Sequence, residues 1–262
     1  MLITPEMYIL AVGAGFLAGL INTLAGSGSL VALSALVAMG LPSTVANGTN
    51  RIGVLIQSGV GLATMWAHGA KRPTGLGWIV GAATAGALVG AWAATQVDPD
   101  TLEWVIIAVL WATLVVLFIR PSDWLRDESK EASKRPSATK IAVLVLVGAW
   151  GGFLQAGVGI LLLVALVLVA GKNVIEATTI KLMVVLVYTV GAIPIFWMQG
   201  QIHWELGLVM GVGQAFGGWL GARFAATSSK AAVWIRRLLV VVIVAAALEL
   251  MGAFAWAWGV VS

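Results

Sequence analysis

Ala25-Gly26-Ser27-Gly28 and Ala156-Gly157-Val158-Gly159 each interrupt a long apolar stretch, one in either half of the chain. The echo continues downstream, where Val45-Ala46-Asn47-Gly48-Thr49-Asn50-Arg51 is answered 130 residues later by Ile175-Glu176-Ala177-Thr178-Thr179-Ile180-Lys181. Two glycine ladders extend the pairing: Gly77 and Gly81 map onto Gly207 and Gly211, then Gly86 and Gly90 onto Gly217 and Gly221. Apolar segments broken by glycine at matching places in two repeats point to a binding site near the bilayer midplane.

Composition sets the solvent. Of 262 residues, 60% are hydrophobic and 10% charged, and the mean hydropathy is +1.01, whereas soluble domains carry about a quarter charged residues. One membrane domain without a soluble catalytic domain is expected. The absence of cysteine excludes disulfides, thiolate metal sites and cysteine nucleophiles. Met1 to Met7 contains Glu6 and neither Lys nor Arg, so the first apolar segment is expected to be retained rather than cleaved as a signal peptide. The net charge of +4 is explained by membrane topology, because no basic patch is interleaved with groove-reading or stacking elements; no nucleic-acid partner is expected.

Apolar windows cover residues 8–24, 29–40, 46–68, 74–95 and 102–119, then 140–156, 159–171, 177–198, 204–226 and 234–258. Three windows per half approach the roughly 20 residues that cross the hydrocarbon as a helix, and the paired first two are mostly shorter. The expected fold is an all-α polytopic membrane protein with two repeats, 8–119 and 141–258, joined by a linker at 120–140. Each repeat has a glycine-broken, re-entrant helical hairpin followed by three transmembrane helices. A hairpin returns the chain to its starting side and three spans then cross, so each repeat makes an odd number of crossings. The second repeat must enter from the opposite face, which gives inverted topology.

Basic residues select the cytoplasmic side. With this folding, Lys71, Arg72, Arg120, Arg126, Lys130, Lys134, Arg135, Lys140, Lys172, Lys230, Arg236 and Arg237 share one face. Both termini are therefore expected outside the cell membrane (the inner membrane of a bacterium), with the linker cytoplasmic. Most tryptophans lie near span ends, where they anchor at the headgroups; Trp92, Trp111 and Trp219 lie deeper and are candidates for lining a cavity.

Arg51, Lys181 and Arg223 are the basic residues not placed on that face, and they fall inside the expected spans. A cation in hydrocarbon costs a few kcal/mol even on permissive scales, so it faces a cavity, a partner or a functional path. Arg223 sits near a span end and is expected to snorkel. Arg51 and Lys181 occupy matched positions, about one turn into their helices, where they either supply charge to a substrate or cap neighbouring carbonyls. Around them the candidate substrate-binding residues are Asn22, Ser27, Gly28, Ser29, Asn47, Thr49 and Asn50 in the first repeat, and Gln155, Gly157, Gly159, Thr178 and Thr179 in the second. Glycine at the breaks permits a sharp turn and presents backbone N–H groups at the start of the next half-helix, where an anion is favoured. N-capping accounts for one Asn or Thr in each cluster and not for the rest. Gln57, Gln214 and Tyr188 are further intramembrane polar groups. Glu249 in the last window is either a proton relay or the partner of a buried cation. No metalloprotease helix and no Gly-x-Ser-x-Gly elbow is present, so neither a metal, a cofactor nor an enzyme activity is expected.

Gly15-Phe16-Leu17-Ala18-Gly19 leading to Ala25-Gly26-Ser27-Gly28, together with Ala46-Asn47-Gly48-Thr49-Asn50-Arg51 and the duplicated ladder Gly86 to Gly90 and Gly217 to Gly221, resembles the sulfite exporter TauE/SafE family. The resemblance spans about residues 8–250 and implies a transporter, several relatives being exporters, for sulfite, sulfonates or related organic anions. The expected function is secondary transport of a small anion by alternating access, with a coupling proton or sodium ion and the lipid bilayer as partners and a homo-oligomer as a further arrangement. The alternatives are a passive anion channel, which lacks counterflow stimulation, and a non-transporting assembly subunit, which lacks flux altogether.

Since the chain has no native cysteine, topology can be read with single substitutions. A membrane-impermeant maleimide is expected to label Ser133→Cys only when the cytoplasmic face is opened, and Ser262→Cys in intact cells. The reverse pattern would invert the orientation.

Overall fold

A computed structural model of the protein describes residues 4–70, 76–98, 101–102, 137–169, 171–228 and 234. Among these residues every regular element is helical. In chain order they are α1 (Pro5–Leu24), α2 (Ser29–Ala38), α3 (Ser43–Ala67), α4 (Gly77–Ala94), α5 (Ala138–Phe153), α6 (Val158–Val164), which continues as a π-helical turn over Ala165–Val169, α7 (Val174–Met198) and α8 (Trp204–Thr227). These helices fall on the apolar windows at 8–24, 29–40, 46–68, 74–95, 140–156, 159–171, 177–198 and 204–226, because an apolar run in lipid must satisfy its own backbone groups. Glu249, linker residues 120–136 and the windows over 103–119 and 235–258 lie outside the described residues.

Local chemistry sets several helix starts. Pro5 opens α1, where its missing N–H would have had no partner. Ser137 Oγ accepts from Lys140 N at 3.3 Å and Asn173 Oδ1 from Glu176 N at 2.8 Å, so polar side chains cap α5 and α7. α1, α4 and α7 are long and apolar enough to cross a membrane. α3 has 25 residues but dilutes its apolar content with the polar run from Asn47 to Arg51. α2, with 10 residues, is well short of a full span.

α3 and α7 pack against each other at the centre; α8 lies on α3 and α4 on α7, while α1 packs along α8 and α5 along α4. Exchanging α1 with α5, α3 with α7 and α4 with α8 maps this set of neighbours onto itself. The two outer pairs are held by glycine. A Cβ at Gly15 or Gly19 would overlap the carbonyls of Met210 or Gln214, and one at Gly213 or Gly217 those of Val12 or Phe16. Across the other pair, Gly86 and Gly90 press on Val145 and Ala149, while Gly148 and Gly152 press on Ala83 and Ala87. Backbones this close exclude any side chain between them, which is how helices gain contact in lipid.

The outer faces are apolar. Ile9, Val89, Val190 and Phe216 are all exposed, a surface that soluble proteins rarely present as a continuous patch. Trp92 and Trp219, 61% and 42% exposed, also point outward. Neither lines a cavity: each sits on the helix face opposite the glycine contact, which turns its ring away from the interior. Arg223 is likewise exposed and stacks its guanidinium over Trp219, 5.6 Å from the ring centre. Trp111 lies outside the described residues.

Glycines of one ladder are not equivalent. Nothing lies within 4 Å of a Cβ built at Gly77 or Gly81, whereas Gly86 and Gly90 meet backbone. Gly86→Val is expected to cost roughly 2–4 kcal/mol by overpacking, and Gly81→Ala to change stability little; thermal unfolding in detergent measures both.

Candidate functional site

α1 ends at Leu24 and α2 starts at Ser29; α5 ends at Phe153 and α6 starts at Val158. Both breaks lie inside the protein, so the last carbonyls of α1 and α5 need donors that water cannot supply. Each half provides the donor for the other. Lys181 Nζ, on α7, donates to the carbonyls of Asn22 and Thr23 at 2.9 and 2.7 Å. Arg51, on α3, donates to the carbonyls of Gly151 and Gly152, the first at 3.4 Å, and reaches Phe153 O at 3.5 Å. The paired carbonyls belong to equivalent positions, the two residues before the last one of each helix.

The helix ends fix a register for the breaks. Gly26, with φ +86°, follows the last turn of α1 as Gln155, with φ +64°, follows that of α5. Gly28 thus pairs with Gly157, two residues away from the alignment in which the glycine motifs coincide. Gln155 is the one non-glycine with positive φ among the described residues, at the position where helices ordinarily place glycine. Its side chain explains how it stays there. Gln155 Oε1 accepts from Arg51 at 3.1 Å and Nε2 donates to Tyr188 Oη at 3.0 Å. Strain held by such contacts is found at functional sites.

The two breaks touch. Gly159 N donates to Gly26 O at 3.1 Å, and a Cβ on either glycine would overlap the other's backbone. Beside this contact is a cavity of about 10 Å³, lined by Asn22, Gln57, Ser58, Gln155, Gly159 and Lys181 with apolar Val158, Leu182 and Val185. It has room for about one water. Asn22 donates to Gln57 at 2.8 Å and Gln57 donates to Thr23 at 2.8 Å, which fixes the amides along one wall. The Ser58 hydroxyl is buried without a hydrogen-bond partner among the described residues.

Of the sequence candidates, Asn22, Gln155, Gly159 and Lys181 meet at this cavity, and Arg51 touches it through Gln155. Ser27 lies in the first break and Ser29 opens α2, both buried and with hydroxyls unpartnered among the described residues. Gly28 is pressed against Ala18 O and Asn22 N, which closes its face. Gly157 makes the left-handed turn into α6, φ +67°.

The polar clusters are interior, not caps. Asn47, Thr49 and Asn50 lie within α3, whose N-cap is Pro42, and Thr178 and Thr179 lie within α7, capped by Asn173. Arg51 and Lys181 are accordingly about two turns into their helices rather than one. Asn47 Nδ2 donates to Phe153 O at 2.7 Å, adding a second donor at the end of α5. Asn50 accepts from Gln214 at 3.2 Å, and Thr49 Oγ1 accepts from His203 N at 2.9 Å, tying α3 to the start of α8. Thr178 and Thr179 turn back onto the carbonyls of Val174 and Ile175 at 2.7 and 3.1 Å.

Ser58 was not among the sequence candidates. It stands seven residues after Arg51, two turns along the same face, and that spacing is the signal that marks it.

Charge at the site is unbalanced. A helix C-terminus carries about half a negative charge and each cation a full positive one, and among the described residues neither Arg51 nor Lys181 has a carboxylate partner. Arg51 also stacks on Phe196, 4.3 Å from the ring centre. Counted over the described residues, net positive charge therefore remains at a buried, polar, water-sized cavity between two broken helices.

Helices of this kind around such a centre define a membrane transporter. The model of the sulfite exporter TauE/SafE family matches residues 11–250, and the chain belongs to that family. It is 30% identical over 243 residues to a probable membrane transporter protein, ORF9, from Sinorhizobium sp., covering 91% of this chain and 90% of that one. It is also 26% identical to a probable membrane transporter protein of Haemophilus influenzae, over 82% and 84% of the two chains. The probable membrane transporter protein YfcA of Escherichia coli is 25% identical over 92% and 88%. No solved structure matches the chain.

Proposed function

We propose that this protein is a secondary transporter of a small anion, sulfite or a sulfonate in the first instance, and that it exports its substrate across the inner membrane. Alternating access runs between two inverted repeats, with both termini outside. The observation that carries the proposal is the reciprocal capping of two broken helices by Arg51 and Lys181, which leaves positive potential at a buried cavity. The neighbour pattern, unchanged when the halves are exchanged, supports two equivalent units that rock against each other.

An oxyanion has several heavy atoms and does not fit a cavity of about 10 Å³. In this proposal the conformation described is closed to substrate, and binding requires the breaks to part at the Gly26 to Gly159 hydrogen bond. The Ser58 hydroxyl and the Lys181 ammonium then face the anion, Asn22 and Gln57 orient it, and Ser27 and Ser29 add donors from the first break. Selection follows from donors that suit a compact oxyanion held by charge and N–H or O–H groups together.

Sulfite counterflow in proteoliposomes tests this. Trans sulfite is expected to accelerate uptake of labelled sulfite severalfold, and Ser58→Leu, which fills the cavity, to reduce uptake about tenfold or more. Absence of sulfite flux would overturn the proposal, while flux indifferent to trans sulfite would identify a passive channel.

A further inference from the structure

Carbonyls at the ends of broken transport helices are where a coupling cation binds in many secondary transporters. In this protein both such ends already hold a cation from the chain, Lys181 at Asn22 and Thr23 and Arg51 at Gly151 and Gly152. The two cations differ in one chemical respect. Arg keeps its charge in proteins, whereas Lys can release a proton.

Lys181 is placed to do so. An ammonium has three N–H donors; two are used, at 2.9 and 2.7 Å, and the third has no acceptor among the described residues. The side chain lines the cavity of about 10 Å³, which has room for about one water. The neutral amine keeps two N–H groups, enough for the same two carbonyls. Protonation can therefore change while the end of α1 stays capped.

We propose that Lys181 is the proton-coupling site of the transporter, a tethered cation standing where a sodium ion would otherwise be bound. This rests on the transport reading given above. In the step, one N–H bond of the ammonium breaks, its electron pair stays on Nζ, and the proton passes to a cavity water, giving hydronium that leaves when the cavity opens. A bound anion favours the ammonium, and by reciprocity the ammonium favours the anion, so proton and anion cross together, and export runs down the outward anion gradient rather than on an inward proton gradient. Arg51 stays charged throughout and holds α5.

The groups that face Lys181 are Asn22 and Thr23 from α1, Gln57 and Ser58 from α3, and Gln155 from the second break. None of them changes charge near neutral pH. Arg51 and Tyr188 connect to the cavity through Gln155. Glu6 and Tyr8 on α1, His68 after α3, Lys140 on α5 and Glu176 on α7 sit at helix ends, and α2, α4 and α6 carry no ionisable side chain.

The test is sulfite flux by the full chain in proteoliposomes under separate proton and sodium gradients. In the wild type, acidifying the sulfite-containing side is expected to raise accumulation by about tenfold per pH unit for one coupled proton, and a sodium gradient to have no effect. Lys181→Arg is expected to lose that response in whatever exchange it retains; sulfite ionises identically for both proteins, so the difference belongs to residue 181. A sodium-driven wild type, a wild type indifferent to the proton gradient, or Lys181→Arg with the wild-type response would each overturn the proposal and leave the transport reading intact. A wild type without sulfite counterflow removes the transport reading itself. Where the variant does not fold, the wild-type gradients alone still suffice to overturn the proposal.

Discussion

A helix that stops inside a membrane protein ends in carbonyls that neither water nor the next turn can satisfy. α1 and α5 both stop this way, and the rest of the structure follows from how those ends are served. The donor for α1 comes from α7 and the donor for α5 from α3, so neither half completes its own break. That dependence draws α3 and α7 together at the centre and brings the two breaks into contact at Gly26 and Gly159. The close helix pairs outside them, α1 with α8 and α4 with α5, keep the ends in place through backbone contact at glycine.

The same arrangement links fold to function. Burying a cation is costly unless its donors are filled, and among the described residues both cations are held by backbone partial charges rather than by carboxylates, which in the proposed function leaves attraction for an anion. Because each cation comes from the half opposite the helix end it caps, moving a break changes its distance to that charge. In the proposed mechanism, relative motion of the halves opens the cavity and repositions its electrostatics in one movement. Equivalent placement does not make the two cations equivalent chemically, since one is a planar, permanently charged fork and the other a compact ammonium.

Much of this was legible in the sequence, and the gaps have physical causes. The eight described helices lie on apolar windows because the lipid solvent makes hydropathy a direct report of backbone need. The pairing of Arg51 with Lys181 was visible as buried charge at matched positions. The register of the breaks was not: matching glycine to glycine places Gly26 opposite Gly157, whereas the helix ends place it opposite Gln155. Glutamine disfavours the left-handed region, and only its contacts with Arg51 and Tyr188, distant in sequence, hold it there. Ser58 carries no signal beyond its spacing from Arg51, and a lone serine in an apolar helix ordinarily serves close packing. Trp92 and Trp219 looked deep along the chain but face outward, because depth along a helix says nothing of which face a residue occupies.

Amide hydrogen exchange resolved by peptide, applied to Arg51→Met and Lys181→Met, tests the reciprocal capping most directly. Crossed effects are expected: without Arg51, protection falls around residues 150–160, and without Lys181 it falls around residues 20–30, while the helix bearing each substitution stays protected. Loss confined to the substituted helix, or no loss at either break, would contradict it.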